Sequence, residues 1–376
     1  MTRKMQNTIR VLHITFNMGI GGTEQVIRQL VSNLSADRFS NTILCIDGQI
    51  GEIGQQVRAQ GISVLSVKRS PGLDLGLVRV IRKTIRQTEA DIVHCHQYTP
   101  WVYGWLGSLG TDAKVVFTEH GRFHPDRYRY KAMLFNPLMA WMTGGVIAIS
   151  YATRKALARY EFVPASKIQV IYNGISGLKR DNEAVSTVRR ELEIPEGDRI
   201  IGTVARLDPV KNQSMMLRAF AQVVSQHPDC WLLMVGDGPS RQNLEHLAIT
   251  LGITDRVIFT GFRPEPADYL SAMDIFLLTS HTEGTSMTLL EAMSLDIPAI
   301  TTAVGGNPEI VKNGETGILV PTDSPKELAT AINTLLENES IRFSMGEASK
   351  RRFDSRFSVT PMVSGYQALY QQFLRG

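Results

Sequence analysis

Cysteine is scarce in this 376-residue sequence, and long apolar runs are missing. Its three cysteines, Cys45, Cys95 and Cys230, are scattered and form no CxxC pair. This argues against a disulfide framework or a cysteine-ligated zinc site and favours a reducing compartment. No run approaches the roughly 20 apolar residues that a membrane-spanning helix needs. The first residues carry basic side chains but only a short apolar run before glycines, so we expect a strand there rather than a signal peptide and a cytoplasmic location.

Three well-known ligand signatures are also absent. The sequence has no GxxxxGK[ST] loop, no GxGxxG loop with an acidic residue at the distance that a nicotinamide site requires, and no DxD pair. A P-loop NTPase is therefore excluded and a nicotinamide-dependent dehydrogenase is disfavoured. No heptads and no repeat of 20–50 residues suggest a coiled coil or a solenoid.

What the sequence does contain is an alternation of β-branched runs with helical patterns, which is typical of parallel βαβ units. The predicted strands cover 9–16, 40–46, 63–67, 91–96, 114–120, 145–150, 168–174, 199–207, 230–238, 256–262, 274–280, 298–303 and 317–320. In the second half, helices are predicted near 212–226, 240–251, 264–272, 286–295 and 325–337. This length and pattern predict an α/β protein of two Rossmann-like, doubly wound parallel-sheet domains, joined near residues 174–182. Because ligands bind at the carboxyl ends of such strands, two facing sheets would form an interdomain cleft.

The two halves differ in charge. Residues 1–178 hold 21 Lys and Arg against 11 Asp and Glu, a formal +10, whereas residues 179–376 hold 19 against 25, a formal −6. A basic first half indicates an anionic partner, which could be a membrane surface, a phosphorylated acceptor or nucleic acid.

The segment EGTSMTLLEAMS contains two glutamates, Glu283 and Glu291, beside a predicted helix start at about Thr285 or Ser286. Free N–H groups and the helix dipole favour a phosphate there, and Gly284 lets it approach. The glutamates lie roughly 12 Å apart along a helix axis, so they would contact different parts of a long ligand. The plainer interpretation is an N-terminal charge followed by a surface carboxylate.

The segment VARLDPVKN places Arg206 and Lys211 around a helix start near Pro209. Two cations at a helix N-terminus are unfavourable unless an anion is present, and an Arg fork with a Lys point charge suits a diphosphate. A solvated loop with two unrelated cations is the alternative. Lys211 is expected to be an exposed cation at a helix start, so its replacement by alanine should abolish transfer with little effect on folding.

Candidate residues in the first half follow three predicted strands. Gly21 and Gly22 follow the first strand, where backbone can approach a phosphate or sugar, although a plain tight turn explains them equally well. His96 and His120 end two later strands and are expected to line the cleft, whereas His94 is expected to be a buried strand histidine. A zinc site among these histidines is conceivable, but nothing in the spacing fixes its geometry.

Basic and aromatic residues alternate in the segment that follows His120. They suit a membrane interface, an anionic acceptor or single-stranded nucleic acid. A solvated loop before a core helix is the alternative. The residues are Arg122, Phe123, Arg127, Tyr128, Arg129, Tyr130, Lys131, Phe135 and Trp141.

Taken in order, the motifs HGRF, VIYNGI, VARLDPVKN, VGDGP, TGFRPE, EGTSMTLLEAM and TTAVGGNPEIVKNGETGILVP, after the Gly-Gly loop, resemble the retaining GT-B glycosyltransferases of group 1. This family includes sucrose synthase and phosphatidylinositol mannosyltransferase. The similarity covers nearly the whole chain and is densest from Asn173 to Asp323. The resemblance implies an acceptor-binding domain over 1–176, a nucleotide-sugar domain over 177–355 and a C-terminal helix, 356–376, that packs back on the first domain.

The resemblance also implies roles for individual residues. Arg206 and Lys211 would bind the donor diphosphate, Glu283 the donor sugar and Glu291 the ribose, and His120 would lie near the transferred sugar. The donor would further contact Gly21, Gly22, Gly261, Phe262, Arg263, Gly284, Thr285 and Ser286. His96, Arg122 and Asn173 are expected in the acceptor site or cleft.

The expected activity is a retaining, metal-independent transfer of a sugar from a UDP- or GDP-sugar to a glycan or lipid-linked acceptor, as in bacterial surface polysaccharide or glycolipid synthesis. No cofactor, no metal and no nucleic acid are expected, and peripheral contact with anionic lipid at the inner face of the plasma membrane is a further option. The alternatives are a nucleotide-sugar epimerase of the same architecture and a non-catalytic nucleotide-sugar-binding protein. An epimerase would act on the donor without an acceptor.

Overall fold

The computed structural model describes residues 8–121 and 128–373. The chain divides into two compact units, the first made of Met1–Gly174 with Val359–Gly376 and the second of Ile175–Ser358. Each unit is an α/β domain around one parallel sheet.

The sheet of the first unit has seven described strands in the order β3-β2-β1-β4-β5-β6-β7, all parallel. The strands are β1 (Ile9–Thr15), β2 (Phe39–Cys45), β3 (Ser63–Ser66), β4 (Ile92–His96), β5 (Lys114–Glu119), β6 (Gly145–Ala148) and β7 (Ile168–Val170). Central strands such as β4 are buried at every residue because helices cover both faces of the sheet.

Amphipathic helices connect these strands. In α1, for example, Val26, Ile27, Leu30 and Val31 form the buried stripe of an amphipathic helix. Asp74 caps α3 by accepting a hydrogen bond from the backbone N–H of Leu77 at 3.0 Å. The described helices are α1 (Gly22–Asn33), α2 (Glu52–Ala59), α3 (Leu75–Gln87), α4 (Tyr98–Ser108), α5 (Phe135–Met142) and α6 (Tyr151–Tyr160).

The second unit has a six-stranded parallel sheet in the order β10-β9-β8-β11-β12-β13. Its strands are β8 (Arg199–Val204), β9 (Cys230–Val235), β10 (Val257–Gly261), β11 (Ile275–Leu278), β12 (Ala299–Thr302) and β13 (Gly317–Val320). Its helices are α7 (Asn182–Glu191), α8 (Gln213–Val223), α9 (Arg241–Thr250), α10 (Ala267–Ser271), α11 (Met287–Ser294), α12 (Asn307–Ile310), α13 (Pro325–Glu337) and α14 (Glu339–Arg352).

The last helix, α15 (Val359–Gln372), belongs to the first unit, where its buried Tyr366 and Tyr370 lie against strands β4 and β5. Every strand predicted from the sequence is present, and the predicted fold class of two parallel-sheet α/β domains is confirmed. Among the described residues, none of the helices combines the length and the apolar character that crossing a membrane requires.

Candidate functional site

The strand order of the second unit reverses between β8 and β11, the two strands at the centre of its sheet. From this centre, strands β8, β9 and β10 follow one another toward one edge of the sheet, and strands β11, β12 and β13 follow one another toward the other edge. In such a sheet, the loops that leave the carboxyl ends of the two central strands separate and form a crevice that binds ligands. Lys211 follows β8 and Glu283 follows β11, so both lie at this position.

The loops after β8 and β11 are joined by three hydrogen bonds. The hydroxyl of Thr279 donates to the carbonyl oxygens of Lys211 and Asn212 at 3.0 and 2.9 Å, and the N–H of His281 donates to the carbonyl of Val210 at 2.8 Å. Asn212 adopts a left-handed conformation, with φ of 49°, which turns the chain from the short 3₁₀ turn Pro209–Lys211 into α8. These bonds fix the backbone from which Lys211 projects.

Lys211 and Glu283 form an ion pair with 2.6 Å between Nζ and Oε1. The same carboxylate oxygen accepts a hydrogen bond from Ser280 Oγ at 2.6 Å. The side chain of Lys211 is 26% exposed and that of Glu283 is 9% exposed. The expectation that Lys211 is an exposed cation with little effect on stability is therefore wrong, because its removal would leave a nearly buried carboxylate without its counter-charge.

Gly305 and Gly306 hold the other side of Glu283. The N–H of Gly306 donates to the carbonyl of Glu283 at 3.1 Å. Gly305 has a φ of +51°, and a Cβ at this position would overlap the carbonyl oxygen of Glu283. Only glycine fits this close approach without moving one of the two loops. The TTAVGG segment after β12 thus fixes Glu283 from behind.

The N-terminus of α11 begins three residues after Glu283. Ser286 caps it and accepts a hydrogen bond from the N–H of Leu289 at 3.4 Å, as the predicted helix start near 285–286 requires. The Oγ1 atom of Thr285 is buried and has no hydrogen-bond partner among the described residues. Gly284 lies between Glu283 and this hydroxyl, and Glu291 is half-buried further along α11. Free N–H groups and a positive dipole end therefore lie next to the Lys211–Glu283 pair.

Arg206 lies two residues beyond the end of β8 and is the most accessible of the predicted donor-binding side chains in this loop, at 71% exposed. Its guanidinium is 3.7 Å from a carboxylate oxygen of Asp208. Its carbonyl accepts a hydrogen bond from Gln213 Nε2 at 2.9 Å, which ties the loop to α8. Arg206 and Lys211 thus each have an acidic neighbour in the chain, so neither cation depends on a bound anion for a counter-charge.

The TGFRPE segment follows β10. Gly261 has a φ of +72° and its carbonyl accepts a hydrogen bond from the N–H of Gly236 at 3.0 Å. Phe262 is exposed. Arg263, expected beside the nucleotide base, instead binds Glu191 at 2.8 Å and lies over the ring of Tyr269 at 4.9 Å. Its contact with a base stays a prediction.

The first unit has its own reversal of strand order, between β1 and β4. The glycine loop with Gly21 and Gly22 leads from β1 into α1, and Gly21 is the residue at the helix cap. After β4, Gln97 has a φ of 75° and its Nε2 lies 3.4 Å from Thr23 Oγ1 in the first turn of α1. The two loops at this switch point are therefore neighbours, as the general rule for such sheets requires.

Four histidines meet at the carboxyl side of this sheet, and one of them, His13, was not singled out in the sequence. His13 and His94 are paired in register on neighbouring strands, and His96 and His120 follow. The ring nitrogens of His13, His94 and His96 lie within 4.8 Å of one another and could hold a metal ion. The protein itself supplies partners for them, since His94 binds Tyr370 at 2.7 Å and Thr118 at 2.8 Å.

His96 was expected to line the cleft. Its side chain is instead buried, and its two ring nitrogens form hydrogen bonds with other histidines. His94 is buried, as expected. Burial lowers the pKa of His13 to about 4 and that of His120 to about 3, and it lowers the pKa values of His94 and His96 well below the usual histidine value. All four rings are therefore neutral at pH 7.

Two further predicted residues remain. Asn173, in the first unit, is buried, and its Oδ1 has no hydrogen-bond partner among residues 8–121 and 128–373. Arg122, with its neighbours Phe123 and Arg127, lies outside the described residues.

Each unit is a doubly wound α/β domain, and the second unit brings a cation, a carboxylate and a helix N-terminus together at its switch point, where sheets of this kind bind ligands. Comparison of the sequence with known protein families identifies the family within this class of α/β proteins. Residues 185–352 match the family described as Glycosyl transferases group 1, and residues 20–176 match Glycosyltransferase Family 4. The chain belongs to the group 1 glycosyltransferases. Its fold is GT-B, as the motifs implied.

Individual relatives agree with this assignment. N-acetyl-alpha-D-glucosaminyl L-malate synthase of Bacillus anthracis is 30% identical over 322 residues, which cover 84% of this chain and 83% of the relative. An Escherichia coli relative, UDP-Gal:alpha-D-GlcNAc-diphosphoundecaprenol alpha-1,3-galactosyltransferase, is 23% identical over 98% of both chains. The crystal structure of Anabaena HepE (Alr3699) in complex with UDP superposes with a TM-score of 0.84 at 23% identity, covering 97% of this chain and 100% of HepE.

Proposed function

We propose that this chain is a retaining, metal-independent transferase that moves a sugar from a UDP- or GDP-sugar to a glycan or lipid-linked acceptor in bacterial surface polysaccharide or glycolipid synthesis. The observation that carries the proposal is the Lys211–Glu283 pair at the switch point, directly before the N-terminus of α11. HepE, solved with UDP and with UDP-glucose, supports a uridine donor. The name of the E. coli relative supports a lipid-linked acceptor.

The chemistry asks the protein to stabilise a leaving diphosphate. When the bond between the anomeric carbon and the phosphate oxygen breaks, its electron pair remains on that oxygen, and the diphosphate gains negative charge. Lys211, Arg206 and the N–H groups at the start of α11 would meet this charge and take the part that a divalent cation has in other transferases. Glu283 would then accept hydrogen bonds from sugar hydroxyls and position the anomeric carbon.

Retention requires the acceptor hydroxyl to attack from the side of the leaving group. Its oxygen bonds to the anomeric carbon, and its proton passes to the departing phosphate oxygen. No carboxylate in the site is an evident nucleophile for a two-step route. The names of both relatives specify an alpha product, which a donor with an alpha-linked diphosphate gives by retention.

A screen of UDP-, GDP- and ADP-sugars with the purified chain tests the function. Release of the nucleoside diphosphate that depends on an acceptor, with retained configuration in the first-formed product, is the expected result. A converted donor sugar in the absence of any acceptor would support the epimerase instead. An inverted product would contradict the same-side route.

We further propose that an anionic membrane surface binds α5. The exposed apolar side chains of α5 and of its capping residue, Leu134, recur at helical spacing. They form one face: Leu134, Phe135, Leu138, Trp141 and Met142. The ammonium of Lys167 lies 4.2 Å from the centre of the Trp141 ring, so a cation borders this face. On α3, Arg79, Lys83 and Arg86 add a second basic surface in the same unit. Apolar side chains bordered by cations suit the boundary between lipid headgroups and acyl chains.

A further inference from the structure

A line of four polar side chains runs through the first unit from β2 to the end of β5. His13 Nε2 lies 3.2 Å from Asn41 Oδ1, and His13 Nδ1 lies 3.1 Å from His96 Nε2. His96 Nδ1 in turn lies 2.9 Å from His120 Nε2. His13 and His96 therefore each form hydrogen bonds through both ring nitrogens, one on the side of Asn41 and one on the side of His120. His120, the last ring, bonds within the line only through Nε2.

These bonds have a direction. A neutral imidazole has one N–H donor and one bare acceptor nitrogen, so a chain of neutral rings must donate the same way at every step. The amide oxygen of Asn41 can only accept, and His13 must therefore carry its proton on Nε2. His13 Nδ1 is then the acceptor for His96 Nε2–H, which leaves His96 Nδ1 bare.

The last step sets the state of His120. Because His96 Nδ1 accepts, His120 must donate from Nε2, and the Nδ1 of His120 carries a lone pair. This Nδ1 atom is buried and has no hydrogen-bond partner among the described residues. His120 directly follows β5, at the carboxyl edge where ligands of such sheets bind. His13 and His96 are buried, and a second proton on either ring would point two N–H donors at each other, so the line keeps its direction only with neutral rings.

We propose that Asn41, His13 and His96 are positioning residues that hold His120 in the Nε2–H form, so that His120 Nδ1 accepts a hydrogen bond from a hydroxyl of the sugar substrate. Only the last step, the contact with sugar, rests on the proposed function. A lone pair favours a hydroxyl and disfavours a carboxylate in the same place. The line thus selects neutral sugars over uronic acids at His120 Nδ1, although Asn41, which sets the tautomer, does not contact the sugar itself.

Long-range ¹⁵N–¹H spectra of the full chain, labelled at histidine and free of ligand, test the line directly. The His120 signals are identified by their loss in His120→Gln. We expect a protonated Nε2 and a bare Nδ1 at pH 7. A His120 protonated on Nδ1 would overturn the proposal, and this measurement needs no variant other than the one used for assignment.

Asn41→Leu removes the acceptor that sets the direction and keeps the side-chain size. We expect His120 to populate both tautomers in this variant. Tyr370→Phe is the control, because it removes a buried hydrogen bond to His94 that lies outside the line. An unchanged His120 in Asn41→Leu would contradict the role of Asn41. If Asn41→Leu does not fold, Asn41→Ala, which also lacks a hydrogen-bond acceptor in its side chain, serves in its place.

Kinetics separate the line from the function. Using the glucose donor that turns over in the screen and the same nucleotide carrying glucuronic acid, we expect Asn41→Leu to lower kcat/KM for glucose by roughly 3- to 10-fold, the loss of one hydrogen bond. The preference for glucose over glucuronic acid should fall by the same factor, and Tyr370→Phe should change neither. If His120 has the predicted tautomer but the chain transfers no sugar, the proposed function is contradicted and the proposed hydrogen-bond line is not. If the chain transfers sugar but His120 is protonated on Nδ1, the proposed hydrogen-bond line is contradicted and the proposed function is not.

Discussion

Lys211 Nζ and Glu283 Oε1 lie 2.6 Å apart although 72 positions separate the two residues in the chain. Strands β8 and β11 bring them together, because they are sequence-distant neighbours at the centre of the sheet. A single glutamate therefore neutralises the cation that we expect to bind the donor diphosphate. A bound diphosphate would supply this negative charge and release the Glu283 carboxylate for the sugar hydroxyls.

Lys211→Ala should lower kcat by about 10²- to 10³-fold, the usual cost of removing one group that stabilises developing charge. It should also lower the free energy of unfolding by about 1–2 kcal/mol, because the nearly buried Glu283 loses its counter-charge. Steady-state kinetics and urea unfolding measure the two effects. Lys312→Ala is the control, since it removes an exposed Lys–Glu pair with 3.2 Å between Nζ and Oε2 in the same unit. Equal losses of activity in the two variants would contradict the account.

Gly305→Ala should weaken binding of the nucleoside diphosphate by 10-fold or more, on the order of one to two lost interactions. The added Cβ would overlap the carbonyl of Glu283 and displace its loop. Gly314→Ala is a matched control, because Gly314 also has a positive φ, of +76°, but no atom lies within 4 Å of the added Cβ. Calorimetric titration measures both. If both variants weaken binding equally, backbone strain explains the loss, and if neither weakens it, the contact with Glu283 does not contribute to binding.

The sequence indicated the strands of both sheets because their β-branched runs are short and bounded by turns. It did not indicate α14 (Glu339–Arg352), whose buried residues are Arg342, Met345, Gly346 and Ser349, so that Met345 is the one large apolar side chain among them. Arg342 is buried there because its guanidinium binds the carbonyl of Leu335 at 3.0 Å and Glu339 at 3.1 Å. A side chain that is polar in the sequence and buried by specific partners leaves no periodic signal.

The candidate site was predicted in part for a similar reason. Motif order placed Lys211 and Glu283 in one site, but only the parallel register of β1 and β4 brings His13 beside His94. Register depends on packing between strands and cannot be read from either strand alone. His13 could have been suspected as a third histidine at an inner strand position, but no local spacing links it to His96 or His120.

Chelation should leave the transferase active. After dialysis against EDTA we expect the rate to stay within roughly 2-fold of its initial value, because in the proposed mechanism protein cations and the α11 dipole stabilise the charge of the leaving group. Loss of activity that Mg²⁺ or Mn²⁺ restores would contradict this. A different result would place a metal among His13, His94 and His96: EDTA abolishes activity, only Zn²⁺ restores it, and Zn²⁺ does not restore it in His94→Gln.

Stability should fall as the pH drops from about 6.5 to about 4. The folded-state pKa of His13 is lowered to about 4 by burial, so the unfolded chain binds more protons in this window and stability rises with pH. His13 alone accounts for up to about 3 kcal/mol across it. Urea unfolding at several pH values measures the slope. His13→Gln should flatten the slope, whereas His246→Gln, at an exposed position, should not. A slope that His13→Gln leaves unchanged would contradict the role of burial.

Vesicles of phosphatidylglycerol should bind the chain, and salt should weaken this binding. Leu138→Asp places a charge in the exposed apolar face of α5 and should reduce cosedimentation several-fold. Ile249→Asp, at another exposed apolar position, on α9 of the second unit, is the control and should have no effect. Binding that ignores lipid charge and salt, or equal loss in both variants, would contradict a membrane role for α5.

The most direct test compares a nucleoside diphosphate with its monophosphate. For the base that binds best in a screen of UDP, GDP and ADP, the affinity ratio of diphosphate to monophosphate isolates the contribution of the outer phosphate. We predict a ratio well above one for the unaltered chain, and a ratio that falls about tenfold or more in Lys211→Ala but not in Lys312→Ala. A ratio that Lys211→Ala leaves unchanged would contradict the assignment of the diphosphate to Lys211 and the start of α11.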